Sequence, residues 1–236
     1  KHAWMDEGFT SYIDDVALNV ALGLNKVVPN EGAYDDYIRW AATGLEEPLT
    51  THADRFKYNQ GYGVSAYDKG SVFLSQLGYI IGDENLSKTL KLYFKEWAFK
   101  HPRPYDFIRC AEKVSGLELD WYLMDWAQTT KQIDYQVNSV LGEGSSTKVV
   151  LKREKQMPMP IDVEIYLKDG SSQKYNIPLT MMRGNKPLKN AVLLDSWSWA
   201  QPYYTFSVDI AKEDILSVVI DPLRFTADVN RENNSL

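Results

Sequence analysis

The hydrophobic residues of this chain change their spacing near residue 133, and that change limits the fold more than any other feature. Before it, apolar residues recur at steps of three and four, which is the spacing of one helix face. After it, apolar and polar residues alternate, which is the spacing of a half-buried strand. The sequence therefore predicts an α+β protein with segregated elements: a mainly helical domain over residues 1–132 and a small antiparallel β-sandwich-like domain over residues 133–236.

Six helices are predicted in the first part. The first carries an apolar face made of Phe9, Ile13, Val16, Ala17, Val20 and Leu24. The end signals of the others are capping residues, glycines and prolines. These are Asn30 before the second helix, Ser65 near the start of the third, Gly82 and Asp83 between the third and fourth, Pro102 and Pro104 before the fifth, and Gly116 after it.

Strands are predicted in the second part wherever the alternation persists. They lie at Lys148–Arg153, Ile161–Leu167, Gln173–Ile177, Ala191–Leu194, Tyr204–Val208 and Ser217–Ile220. Asp169 and Gly170 predict a tight hairpin turn between the second and third of these. The last six residues, Arg231–Leu236, are predicted to fray.

Composition excludes several classes of protein. A net charge of -6 argues against a nucleic-acid partner, because phosphate binding needs a basic surface. The single cysteine, Cys110, rules out an internal disulfide and is interpreted as an inert core thiol. No apolar run has the length of a membrane span, so a soluble globular protein is expected. Because the chain starts at Lys1 without a methionine, we expect the natural N-terminus and any signal peptide to be missing, which leaves the compartment open.

A first candidate site lies in the segment Trp4–Tyr12. Glu7 falls at the start of the first helix, and Glu7, Ser11 and Asp14 line one polar stripe of it. The stripe could be a solvated face whose first carboxylate is favoured by the helix dipole. Alternatively, the carboxylate is part of a functional site, and the segment alone does not distinguish the two.

A second candidate site lies in Ala66–Leu74. Tyr67 is predicted in the first turn of the third helix, on the same side as Gly70 and Leu74. A phenol there could donate a hydrogen bond to a developing oxyanion. It could equally be a core tyrosine with a satisfied hydroxyl.

Together the two segments resemble the gluzincin zinc aminopeptidases. The resemblance is carried by Asp6-Glu7-Gly8-Phe9-Thr10-Ser11-Tyr12, by the Tyr-x-Lys-Gly run of Tyr67–Gly70 sixty residues after Glu7, and by Pro104–Phe107 and Ser115–Trp121. It covers residues 1 to about 130 and implies the back half of a thermolysin-like catalytic domain. It also implies that Glu7 is the third zinc ligand, that Tyr67 stabilises the tetrahedral intermediate, and that Asp14 orients neighbouring side chains.

The chain departs from that family in ways that affect activity. It has no H-E-x-x-H segment, and its three histidines, His2, His52 and His101, include no pair four residues apart. The family's Gly-x-Met-x-Asn segment is missing, and Asp6 stands where asparagine is more frequent. The resemblance therefore implies a fragment of a zinc aminopeptidase: zinc and a peptide substrate belong to the intact parent, and neither bound zinc nor activity is expected of the fragment.

Two other interpretations stay open. The chain could belong to a non-catalytic relative that uses the same scaffold for binding, or it could be a structural module whose motif match is fortuitous. If it is a truncated catalytic domain, helices that packed against the missing part expose apolar surface, so we expect it to self-associate.

Overall fold

The computed structural model describes residues 2–236 and divides them into two compact units. The first ends at Lys131 and the second begins at Gln132. All α-helices lie in the first unit and all strands in the second, which confirms the predicted α+β class. Whether each unit is an independent folding domain stays a prediction.

The first unit consists of helices joined by turns and loops. Its helices are α1 (Ala3–Ala21), α2 (Glu31–Ala42), α3 (Asn59–Gly63), α4 (Gly70–Ile81), α5 (Asp83–Trp97), α6 (Pro104–Ser115) and α7 (Asp120–Tyr122). Two π-helical turns, Val64–Lys69 and Leu123–Ala127, follow α3 and α7 directly, and a 3₁₀ turn covers Ala53–Arg55. Among the described residues, no helix is both long enough and apolar enough to cross a membrane.

The helix ends agree with the predicted signals except in three places. The third helical segment begins at Asn59, not near Ser65, because Gly61 and Gly63 weaken the helical signal ahead of it. Gly82, with φ of 90°, ends α4 and is itself the residue before α5, so Asp83 is the first residue of that helix and not its cap. Asn30 precedes α2 as predicted, but its side chain bonds the hydroxyls of Ser71 and Ser75 instead of capping the helix.

Helix α4 forms the centre of the first unit. All its residues except Ser75 are buried. Phe73 of α4 contacts the ring of Trp4 in α1 at 5.0 Å and stacks on Tyr122 of α7 at 4.9 Å. Cys110 is buried on α6, and burial raises the pKa of its thiol, which agrees with an inert core residue.

The second unit contains two sheets. Its strands are β1 (Tyr135–Glu143), β2 (Ser146–Arg153), β3 (Ile161–Leu167), β4 (Ser172–Ile177), β5 (Val192–Leu193), β6 (Tyr203–Val208) and β7 (Ile215–Ile220), with 3₁₀ turns at Thr180–Met182, Lys212–Asp214 and Arg231–Asn233. One sheet has the order β1-β2-β6 and the other β5-β4-β3-β7. The rings of Tyr175 in β4 and Phe206 in β6 meet at 5.4 Å, so side chains of the two sheets pack on each other as expected of a sandwich.

Two details of this unit differ from the prediction. The short strand β5 pairs with β4 in parallel, so that sheet is mixed and not wholly antiparallel. Strand β1 was missed, because a bulge between Val137 and Ser139 shifts its register and interrupts the alternation of apolar residues.

The prediction that Arg231–Leu236 frays is wrong. Val218 of β7 exchanges two backbone hydrogen bonds with Leu236, at 2.9 and 3.1 Å, and Ile220 donates to the carbonyl of Asn234. The buried side chain of Asn234 donates to the carbonyl of Tyr135 and to the carboxylate of Asp228. The tail is ordered because β7 is a sheet edge, whose unpaired backbone groups it satisfies.

Candidate active site

The structure brings together two side chains that are sixty residues apart in the sequence. Tyr67 lies in the π-helical turn Val64–Lys69, and its hydroxyl lies close to the carboxylate of Glu7 in the first part of α1. The interaction with the Glu7 carboxylate is the main reason why the pKa of Tyr67 is raised above its usual value. Glu7 is half-buried, whereas Tyr67 is 42% exposed.

The exposure of Tyr67 corrects one expectation. A tyrosine in the first turn of a regular helix would lie on the side of Gly70 and Leu74, toward packed structure. The helical segment begins at Asn59, and Tyr67 falls in a widened turn in which each residue advances the chain by a smaller angle. Its ring therefore points out of the core, whereas Gly70 and Leu74 are buried in it.

Two glycines allow α1 to approach the Tyr67 segment. A Cβ atom added to Gly8 would lie 2.5 Å from the Cα of Gly70 and 2.9 Å from the carbonyl oxygen of Ala66. A Cβ added to Gly70 would lie 2.9 Å from the Cα of Gly8 and 3.0 Å from the carbonyl oxygen of Trp4. Backbone thus packs against backbone at this crossing, and Glu7, next to Gly8, comes within reach of the Tyr67 hydroxyl.

Lys69, the third residue of the Tyr-x-Lys-Gly run, has a partner that the sequence did not reveal. Its ammonium forms an ion pair of 2.6 Å with Glu46, and the two side chains are 1% and 4% exposed. Burial lowers the pKa of Lys69, while the Glu46 carboxylate opposes that shift. The only sequence signal was the presence of the lysine in the motif, because Glu46 lies in a loop without any recognisable pattern.

Asp68, in the same π-helical turn as Tyr67, has carboxylate neighbours on α1 and α2. Burial, followed by the charges of Asp36 and Asp15, raises the pKa of Asp68 to about 6. Asp14 is exposed on α1 and contributes to the raised pKa of its neighbour Asp15. Within residues 2–236, no hydrogen bond or ion pair joins Asp14 to Glu7 or Tyr67, so the structure brings two of the three predicted site residues together and leaves the third apart.

Known proteins resemble this chain in sequence and in fold. The family model described as the Peptidase family M1 domain matches residues 1–126. Probable aminopeptidase 2 of Sulfurisphaera tokodaii is 30% identical over 185 residues, which are 75% of this chain and 22% of that protein. Aminopeptidase N of Streptomyces lividans is 25% identical over 132 residues, which are 53% of this chain and 15% of that protein.

A solved structure extends the likeness to the second unit. The crystal structure of Legionella pneumophila aminopeptidase A in complex with aspartic acid matches 96% of this chain and 24% of its own with a TM-score of 0.56. At 14% sequence identity this match concerns the fold alone. The chain thus spans less than a quarter of the length of the proteins that it matches.

The crossing at Gly8 leads to a stability prediction. Gly8→Ala would press a methyl group into backbone, which cannot move aside as a flexible side chain can, so we expect a loss of roughly 3 kcal/mol in the free energy of unfolding of the first unit. Gly63→Ala is the matched control, because Gly63 has helical dihedral angles and open space around its Cα. The control should gain up to about 1 kcal/mol from helix propensity. Denaturant unfolding followed by circular dichroism measures both, and equal stability of the two variants would contradict the tight crossing.

Proposed function

Because the chain belongs to peptidase family M1, we propose that it is the part of a zinc-dependent aminopeptidase that supplies one zinc ligand and the catalytic tyrosine, and that it is inactive alone. The observation that carries the proposal is the closeness of Tyr67 and Glu7, the two residues to which the motifs assign these roles. The two sequence relatives are named as aminopeptidases. Since the chain spans only about a fifth of their length, the whole protein's activity on peptides is part of the proposal.

The residues present fit one position of a zinc site. A catalytic zinc ion takes three protein ligands and keeps a position for water. Glu7 offers a half-buried carboxylate at a fixed place on α1, which suits one ligand. Among the described residues, no three His, Cys, Asp or Glu side chains are grouped to hold a metal. The resemblance to the gluzincin aminopeptidases implies that the two remaining ligands are histidines of an H-E-x-x-H segment, which residues 1–236 do not contain.

The chemistry divides between the metal and Tyr67. When bound, zinc would polarise the scissile carbonyl and lower the pKa of a water molecule. A tyrosine phenol is protonated at neutral pH, so the Tyr67 hydroxyl is available as a hydrogen-bond donor. A fixed donor of this kind stabilises the negative charge that develops on the substrate oxygen in the transition state.

Asp14 has a lesser proposed role. It would orient neighbouring side chains rather than touch zinc or substrate. The support is its place on α1 two turns beyond Glu7 and its electrostatic effect on Asp15. Because Asp14 is exposed, we propose that it acts on the site only indirectly, through Asp15.

The catalytic roles are tested by two substitutions in the full-length protein. Tyr67→Phe keeps the ring and removes the donor, so kcat should fall about a hundredfold to a thousandfold, or roughly 3–4 kcal/mol, with bound zinc unchanged. KM should change much less, because the ground-state carbonyl sits differently from the oxyanion. Glu7→Gln should instead reduce zinc retention.

The measurements are turnover of an aminoacyl reporter substrate and zinc by elemental analysis, made on both variants. Normal turnover in Tyr67→Phe would sink the catalytic assignment. It would favour the alternative that this scaffold belongs to a binding protein.

The isolated 236-residue chain should not retain stoichiometric zinc after dialysis, because a single carboxylate is far from a complete ligand set. Elemental analysis of the purified chain measures this, with activity on the same reporter substrate. The opposite result would be tight zinc that is lost in Glu7→Gln and kept in Glu31→Gln, a control at an exposed carboxylate.

We also propose that the isolated chain self-associates through the second half of α1 and the loop after it. This surface exposes Ile13, Leu18, Val20, Leu22, Leu24 and Val27, with Val20 77% exposed. Exposed apolar surface of this kind favours association in water. Sedimentation of Val20→Gln/Leu22→Gln should show more monomer than the parent chain, whereas Leu216→Gln, at an exposed position of β7, should not. A strict monomer of the unsubstituted chain at high concentration would count against the proposal.

A further inference from the structure

We propose that the buried pair of Lys69 and Glu46 positions Tyr67, by holding the π-helical turn Val64–Lys69 in the register that directs the tyrosine hydroxyl at Glu7. The inference rests on the proposed function, because the position of the Tyr67 hydroxyl matters to catalysis only if Tyr67 is the catalytic tyrosine. Neither Lys69 nor Glu46 is placed to touch a substrate, since both side chains are buried. They are therefore positioning residues.

The turn is fixed at two points that lie two residues apart. On its outer side, the hydroxyl of the 42%-exposed Tyr67 lies close to the carboxylate of Glu7 in α1. On its inner side, Lys69 is fully buried and its ammonium bonds Glu46 at 2.6 Å, with the carbonyl oxygen of Thr129 at 3.4 Å. A side chain anchored inside the core restricts the rotation of the same turn that carries the exposed one.

Trp126 contacts both the backbone and the ammonium group of Lys69. The indole N–H of Trp126 donates to the carbonyl oxygen of Lys69 at 3.3 Å. The ring of Trp126 also lies 5.0 Å from the ammonium, and the ring of Tyr37 lies 5.5 Å from it. Both rings attract a cation. The backbone and the side chain of Lys69 are thus both fixed by contacts with the same buried tryptophan.

Stability alone does not account for an ion pair in this place. Two buried charges lose their hydration, and apolar residues of similar volume often replace such a pair without loss of stability. What a pair with short, directed contacts adds is a single geometry. A π-helical turn needs such a constraint, because relaxation to a regular helix would shift the register by one residue and rotate Tyr67 away from Glu7.

The decisive variant removes both charges at once. Lys69→Met/Glu46→Leu in the full-length protein fills the same space with apolar side chains and leaves no unpaired charge. We expect kcat to fall between about tenfold and a hundredfold, because a small misplacement of a catalytic group costs this much. KM and bound zinc should stay within about twofold. The control is Lys88→Met/Glu84→Leu, which removes an exposed pair on α5 and should change nothing.

A double-mutant cycle links the effect to Tyr67. In the Tyr67→Phe background, the Lys69→Met/Glu46→Leu change should cause no further loss of kcat, because the positioned hydroxyl is already gone. An equal loss in both backgrounds would overturn the inference. If Tyr67→Phe reduces turnover but Lys69→Met/Glu46→Leu does not, the inference fails while the proposed function stands.

A measurement on the 236-residue chain separates the inference from catalysis altogether. Nuclear Overhauser effects between the Tyr67 ring and the Glu7 side chain should be lost in Lys69→Met/Glu46→Leu and kept in Lys88→Met/Glu84→Leu. Their persistence in the folded variant would overturn the inference, whatever the full-length protein catalyses. Should that variant fail to fold, Glu46→Asp shortens the carboxylate by one methylene and should weaken the same signals, and unchanged signals there would count equally against the inference.

Discussion

The packing of the first unit depends on the close crossing of α1 and the helical segment that begins at Asn59. Gly8 and Gly70 meet there without side chains between them, so the two backbones touch. Each glycine belongs to a motif that also carries a polar residue: Glu7 precedes Gly8, and Tyr67 lies three residues before Gly70. The glycines thus allow a carboxylate and a phenol that are far apart in sequence to come close together.

The crossing sets a distance, but the direction of Tyr67 depends on the widened turn that carries it. In that turn one side chain faces outward and another, Lys69, is fully buried. The buried charge is matched by Glu46 and lies near two aromatic rings, so the turn that carries the exposed Tyr67 is also anchored in the core. If Tyr67 has the proposed catalytic role, its hydroxyl must be held in place before the reaction begins.

The second unit is organised by the need to pair backbone groups at sheet edges. Strand β7 would present an open edge, and the last residues of the chain occupy it through Asn234 and Leu236. The buried amide of Asn234 then joins this tail to Tyr135 at the start of β1. A polar end that the sequence predicted to fray is therefore part of the β-sandwich. Edge pairing and a buried hydrogen bond together outweigh its lack of apolar residues.

The sequence by itself determined the segregation of helices and strands, most helix ends and six of the seven strands, because these depend on local periodicity and on single glycines and prolines. Its motifs also predicted the peptidase family, which the family match confirms, whereas the roles of Glu7 and Tyr67 stay predictions. Only the tertiary structure decided the rest. The π-helical turn, the bulge in β1, the Lys69–Glu46 pair and the ordered tail all arise from contacts between residues distant in the chain, which leave no periodic signal in the residues on either side. Whether a motif tyrosine lies in the core or reaches a carboxylate was likewise settled by packing, because a turn one residue wider changes the direction of its side chain without changing its sequence.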